Sequence, residues 1–178
     1  MKLKTLLVVL AIIVYSLVLG CGGRGQVSEA EYDKFLSMDI GMSYADVVDT
    51  LGSDGVVSEF HNKAKGNRLQ NYEWHLDNAM IVAGFLEGKL VSKDLRVPPI
   101  ALMKEDCYFE QLGFDSAASG MDYEQVAELM GFNGTLCHED LTDGVDNRRY
   151  VWICSKGAMV WTSFKDDKMY LKAGFGIN

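Results

Sequence analysis

Four cysteines and three histidines carry most of the reactive side-chain chemistry of this 178-residue sequence, and their spacing limits what they can do. Cys21 follows Val18-Leu19-Gly20, at the end of an apolar run that begins at Leu6 behind Lys2 and Lys4. A small residue directly before a cysteine, after a short positive region and an apolar stretch, is the pattern in which the thiol is acylated and the leader cut away. The run of about 15 apolar residues is shorter than the ~20 a helix needs to cross a bilayer, so a cleaved leader is expected rather than a spanning anchor. Residues 1–20 then read as a lipoprotein signal peptide, Cys21 as the lipidated terminus and residues 21–27 as a tether. That places the rest outside the cytoplasm, anchored to the cell membrane or outer membrane through the lipid on Cys21, where disulfides persist.

Cys137 and Cys154 flank the segment Asp143-Gly144-Val145-Asp146-Asn147. A hairpin turning there could set them opposite each other, with the Cα separation of about 5.5 Å that a disulfide needs. Closing that loop would contribute on the order of 3 kcal/mol. The alternative is that Cys107, Cys137 and Cys154 are all small buried apolar groups; Cys107 is expected to be buried rather than reactive. Cys137-His138-Glu139-Asp140 has the residue types of a metal site, but neighbours on a strand point to opposite faces and cannot converge on one ion. His61, His75 and His138 match no zinc-protease spacing, and no nucleophile elbow, phosphate loop or dinucleotide fingerprint is found. No catalytic residue, metal or cofactor is therefore expected, and the chain does not read as an enzyme.

Composition narrows the remaining classes. With 48% hydrophobic and 24% charged residues, the chain has apolar material for one or two packed domains. Its 17 Lys plus Arg against 25 Asp plus Glu give a net charge of -8, which offers no basic surface to a phosphate backbone. Nucleic acid is excluded as an expected partner. Loss of a leader containing Lys2 and Lys4 would make the chain more acidic still, so the lipid would have to hold it at an anionic membrane without a polybasic patch.

The elements that must position these residues are written in a pattern that recurs. Gly41-Met42-Ser43-Tyr44-Ala45-Asp46-Val47-Val48-Asp49-Thr50-Leu51-Gly52 returns without a gap as Gly120-Met121-Asp122-Tyr123-Glu124-Gln125-Val126-Ala127-Glu128-Leu129-Met130-Gly131. Gly55 and Gly134 extend it, and Tyr72-Glu73-Trp74 recurs as Tyr150-Val151-Trp152. Such agreement reads as an internal duplication. Ser28 and Glu31 form a capping box for a first helix; Ser43 caps a second whose Tyr44, Val47, Val48 and Leu51 follow helical spacing up to Gly52. Asp122 to Gly131 repeats the second helix, and its predecessor is expected around Asp106 to Leu112. Strands are expected at about 56–60, 70–76, 79–86 and 89–95, with counterparts from 135 to 172, separated by turn signals such as Glu87-Gly88 and Asp166-Asp167. The expectation is an α+β fold of two tandem repeats, residues 28–95 and 101–178 joined by a linker at 96–100. Each repeat would be a helix pair followed by a four-stranded antiparallel sheet with the helices on one face.

The Gly-Met-Ser-x-x-x-Val-x-x-x-Leu-Gly helix, the Tyr-x-Trp strand and the Phe-x-x-Gly-Lys-x-x-x-Lys hairpin at Phe85 to Lys93 resemble the beta-lactamase inhibitory protein superfamily. The design is also similar to the BamE-type outer-membrane assembly lipoproteins. The first resemblance implies that the sheet surface grips another protein; the second implies a structural accessory in envelope assembly. In the residues themselves, Tyr72, Trp74 and Leu76 alternate with Asn71, Glu73 and His75, and the corresponding outer face of the later strand carries Arg149, Val151 and Ile153. An apolar outer face without helix cover marks either a junction between the units or a binding patch, to which Trp161 adds a large aromatic. Glu73, His75, Arg149, Val151, Ile153 and Trp161 are accordingly the candidate partner-binding residues, for an extracytoplasmic protein or peptide.

Overall fold

The computed structural model describes residues 27–58, 69–97, 102–104, 107, 109–154 and 157–177. The leader, Cys21, residues 21–26 of the tether, His61, and residues 98–100 of the expected linker lie outside the described residues. Helix α1 (Glu29–Leu36) starts at Ser28, whose hydroxyl accepts from the Glu31 amide while the Glu31 carboxylate accepts from the Ser28 amide. Ser43 and Asp46 close the same box on α2 (Tyr44–Leu51), and Asp122 and Gln125 on α4 (Tyr123–Met130). Each box satisfies N–H groups that a helix start leaves without intrahelical partners. Gly52 and Gly131 end α2 and α4 in the left-handed region at φ 84° and 79°, which favours glycine. Helix α3 (Gln111–Ser116) lies later than expected. The chain before it is pinned to the end of a strand, with Lys104 in a parallel bridge to Cys154 and Cys107 bonded to the same cysteine.

Eight strands follow these helices in two runs: β1 (Val56–Val57), β2 (Leu69–His75), β3 (Met80–Leu86), β4 (Lys89–Arg96), and after α3 and α4, β5 (Thr135–Thr142), β6 (Val145–Ile153), β7 (Met159–Lys165) and β8 (Lys168–Phe175). All are antiparallel neighbours in the order β1 to β8, in a single sheet. This overturns the expectation of an α+β fold built as two tandem repeats with a four-stranded sheet apiece. The described chain is mostly strand, with four short helices on one continuous sheet. The physical reason lies at β4 and β5, which would be bare edges in separate sheets. Here Ser92, Lys93 and Asp94 register with Asp140, Glu139 and His138. Both edges are thereby paired, and side-chain contacts cross the seam on each face, Lys93 to Glu139 on one and His138 to Asp94 on the other.

The register Ala83, Lys93, Glu139, Arg148, Phe164 runs across five strands and defines the face on which the helices sit. Phe35, Val47 and Leu51 pack there on Trp74, Ile81, Phe85 and Leu90; Val126 and Met130 pack on Trp152, Val160 and Phe164. Two glycines make this possible. A Cβ at Gly55 would lie 2.6 Å from the Trp74 ring, and one at Gly134 would lie 2.5 Å from Trp152. Each indole N–H also finds a backbone carbonyl in the same loop, Ser53 for Trp74 and Phe132 for Trp152, both at 2.8 Å. Buried indole nitrogens are satisfied in this way without a side-chain partner.

Candidate functional site: the open face of the sheet

Strand alternation sends every second residue away from the helices, so the open face is built by register. Across β6, β7 and β8, Val151 lies beside Trp161 and Trp161 beside Ala173; one step along, Ile153, Met159 and Phe175 form the next row. The row on the other side is Arg149, Ser163 and Leu171. Leu171 is 51% exposed and Phe175 71%, whereas Ile153 is 5% exposed and forms the floor rather than the rim. The Ile153 carbonyl accepts from the Lys104 amide, which brings that segment alongside. Val151 and Trp161 are half-buried and Arg149 is exposed. Leu171 and Phe175 were missed by sequence reasoning, although Leu171, Ala173 and Phe175 alternate within β8 and carried the signal.

Glu73 and His75 also lie on the open face, on β2, where the Ser58 hydroxyl donates to Glu73 and His75 Nε2 is 3.8 Å from its carboxylate. They are four strand spacings from β6, about 19 Å across the sheet. The structure therefore gathers Arg149, Val151, Ile153 and Trp161 and leaves Glu73 and His75 apart from them.

Between the two regions lies the polar centre of the face. His138 Nδ1 is 2.8 Å from Asp94 Oδ1 on β4, and Nε2 is 2.7 Å from Asp140 Oδ2 on its own strand. Asp140 Oδ1 also accepts from Asn147 Nδ2 at 3.0 Å and Thr142 Oγ1 at 2.6 Å. Burial alone would depress the His138 pKa; the hydrogen bonds and charges of Asp94 and Asp140 outweigh it and raise the group. Burial likewise opposes ionisation of Asp140, but the Thr142, His138 and Asn147 bonds hold its carboxyl below the ordinary range. His138 and Asp140 form one wall of a recess of about 510 Å³, whose apolar side is Leu69, Leu86 and Val91. On the helix face of the same seam, Lys93 Nζ lies 3.0 Å from Glu139, which also accepts from Arg148 Nε at 3.1 Å. His138 and Asp140 thus face away from Glu139, as strand geometry requires.

The expected Cys137–Cys154 bridge is replaced by Cys107–Cys154, with Cα atoms 5.3 Å apart, and Cys137 is free. Thr142 pairs with Val145, so the hairpin turns tightly at Asp143-Gly144, not over five residues. Cys137 falls in a bulge between the pairs Leu136↔Tyr150 and His138↔Arg149, well short of Cys154. Its thiol, which donates to the Arg149 carbonyl, is pushed up to about 11 by burial.

No protein-family model and no curated protein matches the chain. Among solved structures, the fold is similar to that of a Streptococcus mutans protein described as a "putative beta-lactamase inhibitor protein". The two are 16% identical with a TM-score of 0.66, and the match covers 86% of this chain and 99% of the other. That likeness establishes the fold.

Proposed function

We propose that this chain is a non-catalytic, extracytoplasmic binding module, anchored to the cell membrane or outer membrane through lipid on Cys21, that holds a protein or peptide against its open sheet face. One observation carries the proposal: Val151, Met159, Trp161, Leu171 and Phe175 form a contiguous apolar surface on the sheet side opposite the helices. Keeping such surface in water costs about 25 cal/mol per Å² of apolar area, and contiguous patches of this kind mark interaction sites. Trp161 and Phe175 supply aromatic anchors, and the half-buried position of Trp161 limits the side-chain entropy lost on docking. With a net charge of -8, the chain steers basic partners toward itself and slows acidic ones. The name of the Streptococcus mutans protein supports an enzyme as the partner class, with the chain as its inhibitor.

The test immobilises the mature lipidated protein in detergent and exposes it to solubilised envelope and to secreted protein, in parallel with Leu171→Asp/Phe175→Asp. A partner retained by the parent and lost by an equally stable variant supports docking on β6–β8. If that partner is an enzyme, its turnover falls in step with added chain. Equal capture of an integral envelope complex by both proteins would instead support an assembly accessory and refute the face assignment.

A further inference from the structure

The β4–β5 ladder is the seam that makes one sheet from two runs of strands, and its two faces are held differently. On the helix face, Lys93, which is 2% exposed, donates to the Phe35 and Met38 carbonyls and pairs with Glu139. On the open face, Asp94 on β4 and His138 on β5 stand directly opposite each other in register. Both ring nitrogens of His138 lie within hydrogen-bond distance of a carboxylate oxygen, Asp94 on one side and Asp140 on the other. A neutral imidazole has one N–H and one lone pair. It can donate to only one of these oxygens, and the other contact would set lone pair against lone pair. Only the imidazolium donates to both.

We propose that His138 is a proton-dependent latch across the β4–β5 seam, closed while the ring is an imidazolium and opened when it loses its proton. The groups facing it are accounted for strand by strand: Asp94 from β4 with exposed Arg96 two residues further along the same face, Asp140 from β5 itself and exposed Arg149 from β6, with uncharged Val82 beyond Asp94 on β3. Asp143 stands at the rim of the adjoining recess. The two carboxylates in hydrogen-bond contact outweigh the two solvated guanidinium groups. Because the folded-state pKa is raised, the latch's stabilisation is fully present below about 6.5, the unfolded value, and is lost as pH rises through the folded midpoint. Asp140, whose pKa is lowered, sets the acid limit: its part is lost as pH falls below about 4 toward its folded midpoint. Deprotonation leaves the Lys93–Glu139 side of the seam intact, so the sheet loosens on its open face without coming apart. The inference holds whatever partner the face binds.

The test follows the full chain by NMR and amide hydrogen exchange between pH 5 and 9, with intrinsic exchange rates divided out. His138 is identified as the ring resonance missing in His138→Gln. Its midpoint should lie above 6.5 in the parent and fall in Asp94→Asn, a near-isosteric change on the open face. For each unit by which the parent midpoint exceeds the unfolded value, protection of the seam amides should drop about tenfold through the titration. Amides of the β2–β3 ladder should not follow, and His138→Gln should be flat over the same interval. A midpoint at or below 6.5, or seam protection indifferent to the titration, would overturn the latch.

Discussion

Replacing Lys93 by Met should be among the most damaging single changes to this fold, and its cost can be worked from the contacts. The ammonium donates to the Met38 carbonyl at 2.6 Å and the Phe35 carbonyl at 3.3 Å, sits 3.0 Å from Glu139 and lies 5.0 Å over the Phe35 ring. Methionine keeps most of the stem's packing but none of these four interactions. The carbonyls that end α1 lose their donor, and a hydrogen bond to a charged group is worth about 1.5–3 kcal/mol. Glu139 keeps Arg148, which limits the loss on that side. Breaking one partner out of a buried pair costs about 3–5 kcal/mol, and since Glu139 stays paired the lower half of that range applies, about 3–4 kcal/mol. For a chain of this size that is a fall of about 6–16 °C in Tm. Urea denaturation should show the midpoint moving with an unchanged slope. Lys172→Met is the control. Its ammonium reaches the Phe114 and Asp115 carbonyls and the Phe114 ring, with no carboxylate in hydrogen-bond contact among the described residues, and it is only half-buried. It should cost about 1–2 kcal/mol. A Lys93→Met loss below about 1 kcal/mol, or one equal to that of Lys172→Met, would refute the assignment of the Glu139 pair as the difference between them.

Gly55→Ala and Gly134→Ala place a methyl inside the Trp74 and Trp152 rings, and each should destabilise by about 1–3 kcal/mol in thermal melts, whereas exposed-surface changes should not. Reducing Cys107–Cys154, which spans 47 residues, should lower stability by about 4 kcal/mol on the chain-entropy account, read from paired denaturation curves with and without reductant. Cys137 should resist alkylation at pH 8 in the folded chain and label on unfolding, because burial pushes its thiol up to about 11. Leu171→Asp/Phe175→Asp should change stability by less than about 1 kcal/mol while abolishing partner capture; a large loss of stability would make these residues structural instead.

What the sequence made legible is what is decided locally. Ser28, Ser43 and Asp122 cap helices because a side chain three residues on completes each box, and both partners lie within one short window. The Tyr-x-Trp alternation placed Tyr72 and Trp74 toward the helices for the same reason, since period-two burial needs only a few residues to be visible. The joining of β4 to β5 was not legible. An edge strand and an interior strand can have the same alternation, and the evidence for pairing is a register between residues some forty positions apart, such as Asp94 and His138. The charged residues held a trace of it. Lys93 and Asp94 have opposite faces, and so do His138 and Glu139, so antiparallel pairing puts each cation against a carboxylate; the reading of Cys137 to Asp140 as a possible ligand set asked only whether those four converge.

The bulge in β5 shows why the site was only partly readable. Strict alternation from Tyr150 outward predicts the open face of β6, and Arg149 and Val151 are indeed there. On β5 the same arithmetic fails at Cys137, because the extra residue between the Leu136 and His138 pairs shifts every later residue by one. That shift puts His138 rather than Cys137 opposite Arg149 and aligns it with Asp94, so the irregularity creates the histidine cluster. A second bulge, between Ser163 and Phe164, leaves Tyr170 outside the pairing and returns Leu171 to the face shared with Trp161. Both regions of the open face therefore depend on an inserted residue, which strict alternation counted from the neighbouring strand does not reveal. Deleting Cys137 would test this directly: the pairs Leu136↔Tyr150 and His138↔Arg149 should close up into regular alternation with both flanking registers kept. The His138 ring should then keep Asp94 and Asp140, read as an unchanged NMR midpoint; a lost histidine cluster would refute this reading of the bulge.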